Sequence, residues 1–177
     1  MPAIDSLNFR YATQDDVSAL APLVESAYRG DASRAGWTTE ADLLDGQRTD
    51  PHSLSGIIAT RGSVVVLAER DGELLACANL ERQENAAYFG MFAVRPGLQG
   101  SGIGNALIAE CERIARVDWE LKKMRMTIIW SRTELIAWYQ RRGYRATGER
   151  KEFPYGDEKF GLPKRDDLYF EIYEKDL

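Results

Sequence analysis

The sequence has 177 residues, of which 44% are hydrophobic and 29% are charged, and its formal net charge at pH 7 is -5. This length suits one domain, so we expect a single domain over residues 1–177 that buries a core without disulfides or metals. The negative charge argues against nucleic acid as the main partner, because phosphate binding depends on clustered Lys and Arg, and no such stripe is present. Any anion site must therefore be local.

No segment of the sequence is typical of export or of a membrane span. Residues 1–5 lack a positive region followed by an apolar core, and no stretch approaches the ~20 apolar residues of a membrane span. Cys77 and Cys111 lie inside apolar runs, which favours buried thiols over reactive or metal-binding ones. We therefore expect a cytoplasmic protein with no membrane partner and no metal.

The first third of the chain is predicted to hold one strand and two helices. Residues 7–11 are typical of a short strand, and Thr13 with the acids behind it is typical of a helix N-terminus. Apolar positions then step by three and four residues, and Gly30 is expected to end this helix. A shorter helix is predicted over residues 38–44, followed by an irregular stretch over residues 50–56.

A hairpin and a third strand follow. Two strand-like runs, residues 63–70 and 73–81, are joined by Asp71-Gly72. Both joining positions tolerate positive φ, as a type I′ turn requires, so the two runs are predicted to form a hairpin. Residues 87–94 are apolar without alternation, which is typical of a strand covered on both faces.

Helices and strands alternate in the next part of the chain. A helical pattern covers residues 102–117, and residues 124–130 are predicted to be a strand. Residues 131–134, Ser-Arg-Thr-Glu, fit a capping box, in which the serine and glutamate side chains bond each other's backbone N–H groups. A helix is therefore predicted from there to Gly143.

Two further strands, residues 144–150 and 168–174, are separated by a long segment that is typical of a functional or mobile loop. Strands that alternate with helices and are framed by hairpins predict a mixed sheet with helices on its faces. Edge strands near the carboxyl terminus would pair between subunits in a homodimer, whereas a place inside the sheet would leave residues 168–170 unavailable for such pairing.

Residues 99–104 have the sequence Gln-Gly-Ser-Gly-Ile-Gly and lie between a predicted strand and a predicted helix; we call them the glycine turn. Such a turn lets backbone N–H groups converge on a phosphate, and the helix N-terminus adds ~+0.5 charge. A P-loop needs a lysine directly after its last glycine, whereas Ile103 follows Gly102. The dinucleotide fingerprint needs an acid at the end of the next strand, which ends in Trp130. Both of these nucleotide motifs are therefore disfavoured.

The spacing of Gln99, Gly102 and Gly104 after a strand that ends in Val-Arg-Pro resembles the acetyl-CoA motif of the GNAT acetyltransferase superfamily. Residues 138–144, Trp-Tyr-Gln-Arg-Arg-Gly-Tyr, resemble a second element of that superfamily. The resemblance covers most of the chain in element order and is sharp over residues 87–144. It implies an α/β (α+β) fold with a GNAT-like mixed, mostly antiparallel sheet of about six to seven strands and helices on both faces.

The same resemblance implies acetyl-CoA as co-substrate. Amides of the glycine turn would bind the diphosphate, backbone groups of one strand would pair with the pantetheine arm, and a serine would lie near that arm. The implied cofactor-binding residues are Phe92, Ala93, Val94, Gln99, Gly100, Ser101, Gly102, Ile103, Gly104 and Ser131.

The resemblance also implies a mechanism in which the amine attacks the thioester carbonyl directly. A strand amide near Phe92 would stabilise the oxyanion, and Tyr139 would protonate the departing thiolate. A phenol with a pKa near 10 stays protonated at neutral pH, which suits this role. Tyr139 also lies at helical spacing from Leu135 and Ile136, so the same pattern fits a core aromatic.

The general base is less defined by the sequence. Residues 87–94 contain no carboxylate or histidine, although many members of the superfamily place a glutamate there. The alternatives are Glu81, which we take as the catalytic candidate, Glu84 or a water chain. His52, the single histidine, lies in the predicted irregular stretch and is not expected to be catalytic.

Loops usually carry specificity on such scaffolds, and two of them are predicted to cover the acceptor pocket. The candidate substrate residues are Tyr28, Trp37, Glu40 and Tyr155. Aromatic walls with nearby acids suit a cationic amine, and the same side chains equally suit plain packing.

Three functions follow from these patterns. The leading hypothesis is an N-acetyltransferase that transfers an acetyl group from acetyl-CoA to a primary amine of a small molecule. The second is a non-catalytic acyl-CoA-binding or regulatory module, which the missing strand carboxylate favours. The third is a protein N-terminal or lysine acetyltransferase, which would need an open groove, and the sequence does not separate it from the first.

Overall fold

A computed structural model describes residues 6–28, 44–45, 49–155 and 162–177, and a seven-stranded sheet forms its centre. In these residues the strands are β1 (Asn8–Tyr11), β2 (Leu44–Asp45), β3 (Ser63–Arg70), β4 (Glu73–Arg82), β5 (Ala87–Val94), β6 (Lys123–Ile129), β7 (Arg145–Glu152), β8 (Leu162–Pro163) and β9 (Tyr169–Asp176). The α-helices are α1 (Val17–Tyr28), α2 (Pro51–Ala59), α3 (Ile103–Arg113) and α4 (Thr133–Arg141). The short strands β2 and β8 pair with each other apart from the large sheet.

The large sheet has the strand order β1-β3-β4-β5-β6-β9-β7. β5 and β6 run parallel, and the other neighbouring strands run antiparallel. This arrangement confirms the predicted mixed, mostly antiparallel sheet. The hairpin is confirmed as well, because β3 pairs with β4 and both Asp71 (φ 53°) and Gly72 (φ 77°) have the positive φ that its turn requires.

The carboxyl-terminal strands do not form the edge in the order of the sequence. β9 lies between β6 and β7, so Phe170 pairs with Ile129 on one side and Lys151 on the other. β7 forms the edge, is exposed along its length, and has the charged sequence Arg-Ala-Thr-Gly-Glu-Arg-Lys-Glu. Such charges oppose pairing with the edge of a second copy, and the homodimer stays a prediction.

Helices cover both faces of the sheet, as predicted. On one face α1 and α2 pack against β3, β4 and β5, and Leu20, Leu54 and Leu67 are fully buried there. On the other face α3 lies over the same strands, with Leu80 and Leu107 in the core, and α4 packs Trp138 and Tyr139 against the aromatic rings of β5. Each such leucine contributes ~1.5–3 kcal/mol through burial. None of the helices in the described ranges has the length and apolar character needed to cross a bilayer.

A bulge in β5 changes which side chains face which layer. Phe89 belongs to the core cluster under α3, and Phe92 packs against the same cluster although the two are three positions apart. Met91 belongs to the cluster on the opposite face. The pairing with β4 shifts at this point, and Met91 has a φ of 49°. One extra residue in a strand reverses the alternation, so Phe92 comes to lie on the face of α3 and α4.

β5 and β6 separate towards their carboxyl ends. Their parallel ladder consists of two pairs, Ala87 with Met124 and Tyr88 with Arg125. Beyond these pairs each strand continues without the other, because the bulge bends β5 away. The sheet therefore opens next to the glycine turn that follows β5.

The predicted irregular stretch over residues 50–56 is wrong, because most of it lies in α2. Asp50 is the N-cap, with its carboxylate accepting from the Ser53 amide at 2.8 Å, and Pro51 occupies the first helical position. Pro at this position is compatible with a helix, since the amide that it lacks would have had no helical acceptor. His52 therefore lies in the first turn of α2.

The helix predicted over residues 38–44 and its neighbour Gly30 lie largely outside the described residues. Leu44 is described, and its backbone belongs to β2, where it pairs with Pro163. The helix prediction is therefore wrong at Leu44.

The predicted capping box at residues 131–134 is also wrong. α4 begins at Thr133, and Arg132 is its N-cap, whose carbonyl accepts from the Ile136 amide at 3.0 Å. The Ser131 hydroxyl is buried and has no hydrogen-bond partner among the described residues. The helix starts one residue later than the motif requires, because the Arg132 amide donates to the Ile129 carbonyl in the turn after β6.

Candidate active site

A cavity of about 290 Å³ lies where β5 separates from β6. Its wall is formed by the end of α1, the second half of β5, the glycine turn and one face of α4. The predicted site residues that line it are Tyr28, Phe92, Val94, Gln99, Gly100, Gly102, Gly104 and Tyr139. The topology therefore brings most of the two sequence motifs to one place.

The glycine turn exposes backbone donors at the N-terminus of α3. Gly100 and Gly102 have φ values of 85° and 89°, a conformation that costs other residues about 1–2 kcal/mol. The amides of Gly102, Ile103 and Gly104 donate to no backbone carbonyl within the described residues. These donors and the helix dipole make the turn suited to an anion.

Gly104 lets α3 approach β5 closely. A Cβ atom at this position would lie 3.0 Å from Cζ of Phe92 and 3.5 Å from Cγ2 of Val94. A larger residue would push the helix away from the strand, and with it the donors of the glycine turn. A Cβ atom at position 104 therefore needs Phe92 or the helix to shift by a few tenths of an ångström.

The side chains of two residues of the turn do not line the cavity. The Ser101 amide donates to the Leu98 carbonyl at 3.3 Å, and its hydroxyl donates to the same carbonyl, so neither points to a ligand. The Ile103 side chain is 1% exposed and lies in the core, which leaves its amide as its contribution. Gln99 donates from Nε2 to the Val94 carbonyl at 3.3 Å, which ties the turn to the end of β5.

The strand residues predicted to meet the pantetheine arm divide between the two faces of the sheet. Phe92 and Val94 line the cavity, whereas Ala93 is 1% exposed in the core of the opposite face. The Tyr28 hydroxyl donates a hydrogen bond to the Phe92 carbonyl. This bond joins the end of α1 to the strand at the cavity, and the sequence alone gives no sign of it.

Tyr139 lies where the aromatic core meets the cavity. It is 4% exposed, and its ring is 6.3 Å from that of Phe89 and 5.8 Å from that of Tyr144, measured between centroids. Burial raises the pKa of its phenol well above the ordinary 10.0; Tyr28 raises it further and Arg132 lowers it. With its pKa raised in this way, the phenol is protonated at neutral pH.

A family model described as an acetyltransferase (GNAT) domain matches residues 61–146, which include β3 to β6, the glycine turn, α3 and α4. Over these residues the chain is similar to a GNAT acetyltransferase domain. No curated protein sequence gives a match.

Solved structures share the fold of this GNAT domain. The ribosomal-protein-alanine N-acetyltransferase from Brucella melitensis has a TM-score of 0.69 and 21% identity, with 96% of this chain and 99% of that chain covered. The PaiA N-acetyltransferase from Thermoplasma acidophilum, solved in complex with coenzyme A, has a TM-score of 0.70 and 14% identity, with 97% and 99% covered. A mutant spermidine N-acetyltransferase from Vibrio cholerae has a TM-score of 0.69 and 14% identity, with 97% and 94% covered.

Six further residues line the cavity, and none of them was predicted as a site residue. Four carry polar or aromatic side chains, namely Asn105, Arg132, Trp138 and Arg142, and the other two are Ala27 and Leu135. The guanidinium carbon of Arg132 is 5.7 Å from the centroid of the Tyr28 ring. Helical spacing could have predicted the residues that α4 contributes. Positions 135, 138, 139 and 142 fall on one face of a helix, so a cavity role for Tyr139 implies the same role for the other three.

Glu81, the candidate base, does not reach the cavity of the GNAT domain. It lies opposite Tyr88, five residues along β4 from Ala76, which lies opposite Val94. At ~3.4 Å per residue this separation is roughly 17 Å. The sequence made Glu81 a candidate base but could not show at which end of β5 it lies.

The remaining predicted residues lie elsewhere. Tyr155 does not line the cavity; its hydroxyl donates to the Arg165 carbonyl at 3.0 Å and accepts from the Leu168 amide at 2.8 Å. It therefore fastens the loop before β9. Ser131 is next to the cavity residue Arg132 but does not line the cavity itself. Trp37 and Glu40 lie outside the described residues.

Proposed function

We propose that this protein transfers an acetyl group from acetyl-CoA to a primary amine of a small molecule. The observation that carries the proposal is a cavity that is lined both by the glycine turn, through Gly100, Gly102 and Gly104, and by Tyr139. The backbone amides would bind the phosphates of coenzyme A, and the tyrosine would give a proton to the departing thiolate. The GNAT family match supports the same reaction class.

The residues present fit a phosphate-bearing thioester. The amides of Gly102, Ile103 and Gly104 would hold the diphosphate, and the absence of side chains at the glycines leaves room for it. Phe92 and Val94 offer an apolar wall for the acyl arm. Acetyl-CoA supplies an acetyl group that is activated as a thioester.

Tyr139 would act on the leaving sulfur. As the amine nitrogen bonds to the carbonyl carbon and the carbon–sulfur bond breaks, the Tyr139 hydroxyl donates to the sulfur and gives up its proton, which solvent then replaces. Burial raises the pKa of Tyr139. The side chain is therefore protonated before the transfer, and the phenolate that the transfer leaves is high in free energy. Arg132 lowers that pKa, and its positive charge would therefore ease the transfer.

The proton lost by the amine would leave through water. In the part of the chain that the structure describes, the cavity is lined by no carboxylate and no histidine. An amine that binds in its neutral form needs no strong base, and a water chain suffices for the second proton. Glu81 is too distant for this role.

An amine panel tests the proposal. The protein is incubated with acetyl-CoA and single amines, including amino acids, polyamines and short peptides, and release of coenzyme A thiol is followed. We expect saturable release with at least one small amine. Coenzyme A binding without release for any amine would favour the non-catalytic module, and release with peptides alone would favour a protein acetyltransferase.

A further inference from the structure

Arg142 follows α4 directly and is fixed by three contacts at the cavity. Its Nε donates to Oδ1 of Asn105 at 2.9 Å, and its Nη1 donates to the Trp138 carbonyl at 2.9 Å. Its guanidinium carbon lies 3.5 Å from the centroid of the Trp138 ring. The planar group is thus held against one wall of the cavity, and its Nη2 makes no hydrogen bond among the described residues.

The positive charge of Arg142 is not neutralised by a neighbouring carboxylate. Among the described residues no acid lies within ion-pair distance of it, whereas Arg113 pairs with Glu110 at 2.8 Å. Burial is the largest cause that lowers the pKa of Arg142, and the adjacent Arg141 also lowers it. Holding an unpaired cation in a partly buried place costs free energy, which an anionic ligand would offset.

The position of Arg142 indicates which anion this is. Asn105, which orients Nε, belongs to the first turn of α3, the same turn whose amides face the cavity. The contact joins residues that are 37 positions apart in the chain. The guanidinium is therefore placed beside the amides of the glycine turn, at the opposite end of α4 from Arg132, which lies over the Tyr28 ring.

We propose that Arg142 is a phosphate ligand of the coenzyme A donor, and that Asn105 and Trp138 position it. The inference rests on the proposed function for the identity of the ligand. Coenzyme A carries two sources of phosphate, the diphosphate and the 3′-phosphate, and a guanidinium suits either of them through paired N–H donors. A role as a cap of α4 accounts for Nη1 alone and leaves the contact with Asn105 unexplained.

Direct binding of coenzyme A tests this role without any acceptor. Affinities are measured by titration calorimetry for the wild type, for Arg142→Gln and for the matched control Arg141→Gln. Arg141 directly precedes Arg142, and its side chain is exposed. We expect the dissociation constant of Arg142→Gln to rise about 10-fold to 100-fold, as for the loss of a charged hydrogen bond. Arg141→Gln should stay within about 2-fold, and the loss in Arg142→Gln should shrink as salt is raised.

Two smaller ligands separate the sources. If the loss persists with dephospho-coenzyme A, Arg142 binds the diphosphate; if it disappears there, Arg142 binds the 3′-phosphate. Pantetheine, which has no phosphate, should bind the wild type and Arg142→Gln equally. An equal loss with pantetheine, or an unchanged affinity for coenzyme A, would overturn the proposal.

Two further variants guard against a folding defect. Arg142→Lys keeps the charge and should recover part of the affinity for coenzyme A, which a purely structural role does not predict. Asn105→Ala removes the positioning contact at an exposed residue and should weaken phosphate-bearing ligands alone. If Arg142→Gln does not fold, Asn105→Ala replaces it in the test, and an unchanged affinity of that variant for coenzyme A would overturn the proposal. A wild type that binds coenzyme A but releases no thiol contradicts the proposed function and leaves the role of Arg142 standing.

Discussion

Tyr139 serves the core and the cavity with different parts of one side chain. Its ring packs at right angles to that of Trp138, with 5.1 Å between centroids, and belongs to the main core cluster. The residue also lines the cavity, where Arg132 and Tyr28 act on its pKa. A buried aromatic and a proton donor are therefore compatible descriptions of the same residue.

Replacing Tyr139 with Phe isolates the hydroxyl. We expect kcat to fall by about 100-fold or more, because the leaving thiolate loses its proton donor while the ring remains in place. The affinity for coenzyme A should change little. Steady-state kinetics and calorimetry measure the two quantities.

Tyr11→Phe is the matched control for that variant. Tyr11 is 45% exposed on β1 and does not line the cavity, so its removal should leave kcat unchanged. A Tyr139→Phe enzyme with wild-type kcat would exclude Tyr139 from the proton transfer.

At the scale of the element, the glycine turn depends on backbone conformation as much as on sequence. Gly102 is the N-cap of α3 and has a left-handed conformation, with φ of 89° and ψ of -4°. This conformation lets the chain turn from β5 into α3 with its amides pointing outward. Side chains at this point would add strain and would stand in front of the donors.

We predict that Gly102→Ala weakens coenzyme A binding by about 10-fold and lowers the free energy of unfolding by about 1–2 kcal/mol. The strain arises from the positive φ, and the affinity loss arises from the displaced amides. Calorimetry and denaturant unfolding report the two effects.

Gly72→Ala separates strain from binding. Gly72 has a φ of 77° in the hairpin between β3 and β4, and a Cβ atom there would meet nothing within 4 Å. It should cost about as much stability as Gly102→Ala through the same backbone penalty, with coenzyme A affinity unchanged. Equal affinity losses in both variants would mean that the turn has no special role in binding.

An ion network ties β1 to the start of α1 and to β3. Arg10 donates to both carboxylate oxygens of Asp16 at 2.8 and 2.7 Å, and to Glu69 at 3.1 and 2.8 Å. The Arg10 hydrogen bonds are the largest cause that lowers the pKa of Asp16 from 3.8 to about 2. A carboxyl whose pKa is lowered by folding stabilises the protein above its unfolded pKa and loses this effect as the pH falls through its folded pKa.

We therefore predict that Asp16→Asn destabilises the protein at pH 7 by about 1 kcal/mol or less. The difference between the variant and the wild type should shrink as the pH falls from 3.8 to about 2, the interval between the two pKa values. Urea unfolding at several pH values measures this difference in the free energy of unfolding. The control is Asp15→Asn, at the exposed neighbouring residue. A difference that is independent of pH in this interval would assign the effect to packing.

The cavity exists because the sheet opens at its centre. The bulge at Met91 bends β5, the β5–β6 ladder stops after Tyr88, and the glycine turn and α4 close the opening from two sides. The ligand would thus contact elements from both halves of the chain. Binding should consequently stabilise the fold as a whole.

We predict that coenzyme A at about 100 times its dissociation constant adds about 2.7 kcal/mol to the free energy of unfolding, which corresponds to a rise in Tm of roughly 5–10 °C. Thermal unfolding followed by circular dichroism measures the shift. Pantetheine at the same concentration should give a smaller shift, because it lacks the phosphates. The absence of any shift with coenzyme A would contradict the assignment of the cavity to the donor.

Local chemistry in the sequence determined the strands 63–70 and 87–94, the Asp71-Gly72 turn and the glycine turn, because each of these follows from preferences of adjacent residues. It also predicted the resemblance to the GNAT family, whose motifs are short and contiguous, and a GNAT family model matches residues 61–146. Local patterns did not show that Asp50-Pro51 starts a helix, since the same pair is typical of a break as well as of an N-cap.

Only the tertiary structure decided which side chains share the cavity. The bond from Tyr28 to Phe92 and the contact from Arg142 to Asn105 join positions 64 and 37 residues apart. Glu81 was predicted as a candidate base, but its place in the β4–β5 ladder, opposite Tyr88, puts it at the end of β5 that is far from the glycine turn. Such contacts depend on strand register, a bulge and the packing of helices on the sheet, and these arise from the whole chain folding together.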